Sequence, residues 1–290
     1  MNKKIKIIFS VLLLVAVLWV SVLFVDINKL SVLNPKGIIA LKEYRLIVIS
    51  TLMMLVVVIP VFFMTVFFAW KYRSDNTKAK YRPDEDQNHL AEVVWWGVPF
   101  VIIAILGVIT WKSCIDLDPF RPLQMNNKPL KIQVVALQWK WLFIYPEQKI
   151  ATVNFFQFPE QTPINFEITA DAPMNSFWIP ELGGQIYAMP GMSSKLHLIA
   201  DAEGSFRGSS ANISGTGFSG MTFIAKASSE ADFNAWVESV QQSSSSLDYN
   251  KVVEPSQYDP QAFYLLTDGG LYEQIVMKYM MPTPKKYMGK

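Results

Sequence analysis

The chain has 290 residues, 51% hydrophobic and 17% charged, with a formal net charge of +2. This composition indicates a membrane protein with a soluble part, and the near balance of charge gives no basic patch for nucleic acid. The single cysteine, Cys114, excludes an internal disulfide or a thiolate metal site built from this chain alone.

The N-terminus combines a short basic start with the apolar run Ile7–Val25, which has 19 residues. Such a run is long enough to cross a bilayer core of about 30 Å. A secretory signal also fits the charge layout. We therefore predict that residues 1–28 are a signal peptide or an uncleaved N-terminal anchor.

Two more apolar runs follow, Leu46–Trp70 with 25 residues and Val93–Trp111 with 19. Both are long enough to span a membrane, and they predict a transmembrane helical hairpin over residues 38–115. The loop between them carries five basic residues. The positive-inside rule places that loop in the cytoplasm and the region after the hairpin outside.

Residues 116–128 contain Pro119 and Pro122 and are typical of a linker. Residues 129–228 consist of short β-rich runs divided by turn residues, which predicts an all-β sandwich or barrel. The predicted strands are Lys131–Trp139, Leu142–Tyr145, Thr152–Phe158, Ile164–Ala170, Gln185–Ala188, Lys195–Ala200 and Met221–Ala227.

Residues 229–290 form the predicted helical, aromatic-rich C-terminal extension. Ser229 followed three residues later by Asp232 is a capping pattern, and apolar residues then recur at helical spacing. We expect this helix to pack on the β domain. The later stretch Glu254–Met281 is rich in aromatic residues.

The stretch Gly204–Met221 is rich in glycine and serine, lies between apolar runs, and predicts a loop. Loops held on rigid strands are where sites are built. Together with Met174–Leu182 upstream, it resembles the metal-binding region of subunit II of the haem–copper respiratory oxidases.

The resemblance extends along most of the chain from about Asn34 and is greatest to subunit II of the cytochrome bo-type ubiquinol oxidases. The matching segments are NPKG (Asn34–Gly37), FAWKYR (Phe68–Arg73), WKWLFIYPEQ (Trp139–Gln148), IATVN (Ile150–Asn154), QIYAMPGM (Gln185–Met192) and KLHLIA (Lys195–Ala200). It implies a membrane-anchored α+β protein: transmembrane helices, then an external cupredoxin-like Greek-key β-barrel and the C-terminal extension. It also implies the bacterial inner membrane, with the large C-terminal domain in the periplasm.

In the copper-bearing relatives, this region holds a dicopper electron-entry centre through two cysteines, two histidines, a methionine and a backbone carbonyl. The resemblance places those ligands on Asn175, Ser210, Asn212, Ser214, Phe218 and Met221. Of the metal-binding side chains, only the methionine is retained. A neutral serine hydroxyl is a hard donor and a phenyl ring has no lone pair, so we expect no metal here.

The quinol-oxidase relatives usually carry a lipoprotein signal cut before an acylated cysteine, and that position falls on Asn28. The departure puts lipidation in doubt. The aromatic-rich extension is a second feature of the quinol branch. We interpret Trp139, Trp141 and Tyr145 as packing residues, since the chain supplies no redox cofactor of its own.

Glu92 matches a family glutamate at the mouth of a proton-uptake channel in subunit I, and it is the candidate proton-channel entrance. The alternative is an acid at a helix N-terminus, where the helix dipole favours it. His89 and His197, the only histidines, fall on opposite sides of the membrane in this topology and cannot share a metal.

These features predict a non-catalytic subunit II of a proton-pumping quinol oxidase, which oxidises ubiquinol and reduces oxygen. Haem and copper are expected in the partner subunit I, with other oxidase subunits and membrane lipid as further partners. Two alternatives remain, a copper-containing electron-entry subunit of a cytochrome c oxidase and a membrane-anchored cupredoxin-like sensor or receptor.

Overall fold

The structure is a computed structural model that describes residues 30–80, 87–125 and 127–280. The predicted signal peptide or anchor, residues 1–28, lies outside the described residues. Two long helices open the described chain, α1 (Ile38–Lys71) and α2 (His89–Asp116). Among the described residues, these two are long and apolar enough to cross a membrane. Both extend beyond the predicted apolar runs, since charged residues continue the helical turns at their ends.

The first turn of α1 is fixed against the β domain. The backbone of Lys36 donates to the Glu181 carbonyl at 2.7 Å, and its own carbonyl accepts from the Asp201 N–H at 2.9 Å. Between them, Gly37 approaches the sheet so closely that a Cβ there would lie 2.2 Å from the Ile199 carbonyl oxygen. Only glycine fits this position, so the start of the membrane helix has a defined place on the β domain.

The β domain consists of two facing sheets, as the β-rich pattern predicted. Their strands are β1 (Leu130–Leu137), β2 (Lys140–Tyr145), β3 (Ile150–Val153), β4 (Phe155–Pro159), β5 (Ile164–Ala170), β6 (Asn175–Trp178), β7 (Ile186–Ala188), β8 (Ser194–Leu198), β9 (Gly204–Ser210), β10 (Thr222–Ser228) and β11 (Ala262–Leu265). The six-stranded sheet has the order β11-β3-β2-β1-β5-β8, and the five-stranded sheet has the order β4-β10-β9-β6-β7.

Buried aromatic rings fill the space between the sheets. Phe177 from β6 and Phe223 from β10 stack with ring centroids 5.0 Å apart, and the Trp141 and Phe143 rings from β2 lie edge-on against Phe223. All four side chains have 2% exposure or less. Aromatic pairs at such distances and angles stabilise a core beyond their buried area.

The single strand predicted over Thr152–Phe158 is wrong, because the chain breaks at Asn154. Asn154 has φ +56°, a left-handed conformation that ends β3, and β4 then enters the other sheet. Its side-chain oxygen accepts from the Trp141 N–H at 2.9 Å. The asparagine thus provides a local hydrogen bond where the ladder is interrupted.

The loop predicted over Gly204–Met221 is partly wrong. Its first seven residues form β9, which pairs with β10 along its length and with the end of β6. Glycine and serine have low strand propensity, and pairing on both sides overrides it here. The loop itself covers residues 211–221.

The C-terminal extension begins with helix α3 (Glu230–Ser243), capped by Ser229, whose hydroxyl accepts from the Asp232 N–H at 3.1 Å. Phe233, Val237 and Val240 of α3 are buried, which confirms the predicted packing on the β domain. The short helix α4 (Tyr249–Val252), β11 and helix α5 (Leu271–Met280) follow. The extension is therefore not only helical, because β11 adds an edge strand beside β3.

Candidate functional site

Three of the positions that the resemblance assigns to copper ligands, Asn175, Ser210 and Asn212, lie close together at the ends of β6 and β9. Asn175 and Ser210 are both buried, and the Ser210 hydroxyl donates to the Asn175 side-chain oxygen at 2.9 Å. The Asn212 side chain donates to the Met174 carbonyl at 2.9 Å and so ties the loop to the upstream segment. A hydrogen-bonded amide and hydroxyl network therefore occupies this part of the loop.

The other three positions lie along the rest of the loop. The Ser214 hydroxyl is buried, with no hydrogen-bond partner among the described residues. Phe218 opens a short 3-10 helix (Phe218–Gly220), and Met221 is completely buried in the core. The resemblance thus identified residues that lie in one loop and its flanking strands.

These residues do not fit a dicopper centre. Copper in such a centre requires thiolate and imidazole ligands, whereas the side chains here offer hydroxyl, amide, phenyl and one thioether group. Amide and hydroxyl donors of the first three positions are already committed to hydrogen bonds within the protein. In residues 30–80, 87–125 and 127–280, no group of three or more His, Cys, Asp or Glu side chains is placed to hold a metal ion.

Trp139 holds the loop from the opposite sheet. It occupies the two-residue turn between β1 and β2 with φ +64°, and its indole N–H donates to the Ser214 carbonyl at 3.0 Å. A Cβ on Gly217 would lie 2.3 Å from the Trp139 ring. A left-handed tryptophan is an uncommon conformation, and the contacts to the loop compensate for it.

Trp141 and Tyr145 are fully buried. Trp141 contributes to the aromatic core, and the Tyr145 hydroxyl donates to the Gln157 carbonyl at 2.7 Å. Burial raises the pKa of Tyr145 well above its ordinary value, so this hydroxyl stays protonated.

Nothing in the sequence indicated that residues 256–259 of the extension contact the loop. The Tyr258 hydroxyl lies 3.0 Å from the Ser219 hydroxyl, and its ring packs on Gly220. Next to it, Asp259 forms an ion pair of 2.8 Å with Lys140, whose side chain is 5% exposed. Burial opposes ionisation of Asp259, but hydrogen bonds from Lys140 and Ser256 leave its pKa below the usual range.

A second junction holds α4 and α5 to the β domain through Asp171, whose side chain is 1% exposed. Lys278 donates to both carboxylate oxygens at 2.7 and 2.8 Å, and the Tyr249 hydroxyl donates at 2.6 Å. The Tyr279 hydroxyl makes a further bond to the same carboxylate. Burial raises the pKa of Asp171, but these donors outweigh it and leave the pKa lowered.

Glu92 lies in the first turn of α2, with its side chain 43% exposed. The Asn88 side chain caps this helix by accepting from the Ala91 N–H at 3.1 Å, and the His89 Nδ1 atom lies 3.5 Å from the Glu92 carboxylate. This is the position in which a helix dipole favours an acid. The geometry is equally that of an accessible carboxylate at the end of a membrane helix.

The alternating strand predicts that His197 is a surface or edge residue, and the structure has it at an edge but buried. It lies on the edge strand β8 but is only 7% exposed, with Nδ1 2.7 Å from the Asn165 side-chain oxygen. Burial, together with the nearby Lys195 charge, lowers the pKa of His197, so the ring is neutral at pH 7.

Two family models match the chain. Residues 148–228 match the periplasmic domain of cytochrome c oxidase subunit II, and residues 241–283 match the aromatic-rich motif of these oxidases. The first match covers β3 to β10 and the loop between β9 and β10, and the second covers the part of the extension that follows α3, with its residues at both junctions. The predicted cupredoxin-like domain is thereby confirmed, as two facing sheets.

Curated relatives match over most of the chain. Subunit 2 of cytochrome bo(3) ubiquinol oxidase from Pseudomonas aeruginosa is 54% identical, covering 86% of this chain and 76% of the relative. Ubiquinol oxidase subunit 2 from Acetobacter aceti is 50% identical, covering 87% and 83%. Among solved structures, the periplasmic domain of cytochrome oxidase subunit II from Bradyrhizobium japonicum is 22% identical over 41% of this chain and 98% of that chain, with a TM-score of 0.39.

Proposed function

This chain belongs to the family of ubiquinol oxidase subunits 2, and from that premise we propose that it is a non-catalytic subunit II of a proton-pumping quinol oxidase. In this role it anchors the β domain to the membrane and docks on subunit I. Subunit I contains the haems and copper that take electrons from ubiquinol to oxygen.

The observation that carries the proposal is the chemistry of the loop between β9 and β10. The side chains of Asn175, Ser210 and Asn212 bond to one another or to the backbone, and the donor set does not suit copper. An electron path through this chain would require a cofactor that its described residues are not placed to hold. Electrons therefore enter the complex elsewhere, and a membrane-soluble quinol is a donor that needs no soluble-protein docking site on the loop.

The extension supports the same role. Tyr258 and its neighbours lie over the loop, and the Lys140–Asp259 pair is largely buried beneath them. Tyr258 thus contacts one part of the loop, while Ile213 in another part remains 81% exposed. A loop that is bonded to other parts of the chain is suited to support and assembly.

The two apolar helices provide the membrane anchor, and in our proposal the β domain faces the periplasm. Glu92 then lies at the cytoplasmic end of α2, where its half-exposed carboxylate can take protons from water and pass them to a channel in subunit I. This is its proposed contribution to the activity of the complex.

The test is purification of the complex through a tag on this chain from membranes of a host that produces all oxidase subunits. We expect a haem-bearing partner to co-purify, and the complex to consume oxygen with ubiquinol but not with reduced cytochrome c. Oxygen consumption driven by reduced cytochrome c, with copper bound to this subunit, would contradict the proposal. Purification of the chain without any haem protein would contradict it as well.

A further inference from the structure

A cavity of about 300 Å³ lies where the two membrane helices meet the β domain. Its walls come from the first turns of α1, from residues 116–124 after α2, and from the turn before β7 together with β8. The hydrogen bonds of Lys36 and the close approach of Gly37 fix one of these walls. The cavity is therefore a defined part of the junction.

Charged side chains of both signs line this cavity. Lys42 and Arg121 are cations, and Glu43, Asp116 and Asp118 are carboxylates. No two of these five residues form an ion pair with each other, nor does any of them pair with another described residue. Asp118 accepts from the Phe120 N–H at 3.0 Å, and Glu43 accepts from the Gly184 backbone. Lys42, Asp116 and Arg121 are exposed, and their charges are available to a ligand that carries both signs.

His197 adds a buried ring to the wall. Its Nδ1 lies 2.7 Å from the Asn165 side-chain oxygen, and its Nε2 makes no hydrogen bond of normal geometry with any described residue. The Phe120 backbone carbonyl also faces the ring, so His197 is a polar part of the wall and not a vacant acceptor.

The surroundings of the cavity are apolar on the membrane side. A groove on α2, lined from Ile103 to Ile115 and almost entirely apolar, ends one residue before Asp116 at the cavity. Ile115 is 53% exposed and Trp111 is 74% exposed. Exposed tryptophan at a helix end is typical of the boundary between headgroups and acyl chains. The cavity thus lies at headgroup level, next to a surface that suits an acyl chain.

We propose that this cavity binds the phosphoethanolamine headgroup of a membrane phospholipid. Lys42 and Arg121 bind the phosphate, while Glu43 and the two aspartates accept from the primary ammonium, and an acyl chain follows the groove on α2. The cavity is lined by two cations and three carboxylates, so its net charge is small. A zwitterionic headgroup therefore suits it better than an anionic one. The inference does not depend on the oxidase assignment.

The experiment is native mass spectrometry of the full chain, delipidated in a maltoside detergent and titrated with phosphatidylethanolamine, phosphatidylcholine or phosphatidylglycerol. The test variant is Lys42→Gln with Arg121→Gln. The matched control is Arg207→Gln with Lys226→Gln, which removes two exposed cations of the β domain away from the cavity. We expect the test variant to weaken phosphatidylethanolamine binding at least about tenfold, since two charge-assisted contacts are lost, and the control to leave it unchanged.

Glu43→Gln provides a second, gentler variant. Phosphocholine cannot donate hydrogen bonds, so the wild-type chain should prefer phosphatidylethanolamine, and Glu43→Gln should reduce that preference without abolishing lipid binding. Equal loss of binding in test and control variants would overturn the proposal, as would equal affinity for the three lipids. If soluble phosphoethanolamine or inorganic phosphate displaced the lipid at an equal concentration, the ligand would be a soluble phosphate compound and not a membrane lipid.

The last experiment repeats the lipid titration on the assembled oxidase. Retention of phosphatidylethanolamine that depends on Lys42 and Arg121 supports the site in the complex. If assembly abolishes this retention, a partner polypeptide fills the cavity and the proposal is wrong.

Discussion

The indole N–H of Trp139 donates to the backbone carbonyl of Ser214 at 3.0 Å, so the turn between β1 and β2 is bonded directly to the loop between β9 and β10. The two residues are 75 positions apart in the chain and belong to opposite sheets. This bond shows that the loop, although it lacks the ligands of a dicopper centre, is held in a defined shape.

Gly217→Ala should destabilise the protein, because the new methyl group would lie 2.3 Å from the Trp139 ring. We expect a loss of about 1–3 kcal/mol, the range for overpacking a well-packed contact, with faster hydrogen exchange in residues 211–221. The control is Gly269→Ala, where a Cβ has nothing within 4 Å. Equal unfolding free energies for the two variants would show that the loop is not packed against the tryptophan.

Asp171→Asn should release α5 from the β domain. The substitution keeps the shape but removes the charge that binds Lys278, Tyr249 and Tyr279, and hydrogen bonds to a charged group are worth about 1.5–3 kcal/mol each before solvent screening. Lys278 is half exposed, so we expect a total loss of about 1–3 kcal/mol. Hydrogen exchange in Leu271–Met280 measures the release, and Glu238→Gln on the exposed face of α3 is the control.

The Asp171 junction should also make the stability of the protein decrease at low pH. The folded pKa of Asp171 is lowered, so its contribution to stability is fully present above the unfolded carboxyl value of about 3.9 and is lost as the pH falls through the folded pKa. Acid titration of the wild-type chain should therefore detach α5 before the core unfolds, while Asp171→Asn should show a weaker acid dependence. The same acid dependence of α5 protection in the wild-type and Asp171→Asn chains would contradict this prediction.

Removing Asp259 should destabilise the protein more than removing its partner Lys140. Asp259→Asn leaves a cation that is 5% exposed without its counter-charge, whereas Lys140→Met leaves a carboxylate that is 25% exposed. We expect a loss of about 3 kcal/mol or more for Asp259→Asn, as for other buried pairs broken on one side, and a smaller loss for Lys140→Met. Chemical unfolding of the two variants checks the order, and the reverse order would show that the pair is not buried in solution.

Glu92→Gln should slow quinol-driven oxygen consumption and proton pumping several-fold in the purified complex, if this carboxylate delivers protons to the channel. His89→Gln should have a smaller effect, because the ring only lies near the carboxylate at 3.5 Å. Glu254→Gln, an exposed acid of the extension, is the control. Unchanged turnover and pumping in Glu92→Gln would leave only the helix-dipole role for this residue.

The membrane helices and the general character of the β domain could be predicted because their signals are local. An unbroken apolar run specifies a membrane helix whatever it packs against, and β5 begins and ends where the alternating pattern of Ile164–Ala170 predicted. The capped helix α3 could also be predicted, since Ser229 and Asp232 are three residues apart and form a capping pattern.

Elements that depend on distant partners were missed. The strand β9 has a glycine and serine composition that locally favours a loop, and only pairing with β10 and β6 makes it a strand. The break at Asn154 depends on hydrogen bonds of its side chain with the backbone of Trp141 and Asp259. The edge strand β11 depends on pairing with β3. Propensity is a weak guide where neighbouring strands satisfy the backbone.

The sequence by itself determined the apolar membrane helices, the β-rich domain and, through its resemblance, the loop whose copper ligands are replaced. Only the tertiary structure decided that Trp139 and Tyr258 contact that loop and that Asp171 and Asp259 join the extension to the β domain. It also decided that five charged side chains, with no ion pair to any described residue, share one cavity beside the two apolar helices. Helix formation and hydrophobicity are properties of consecutive residues. Which charges pair, and which remain free, depends on side chains that the fold brings together from distant parts of the chain.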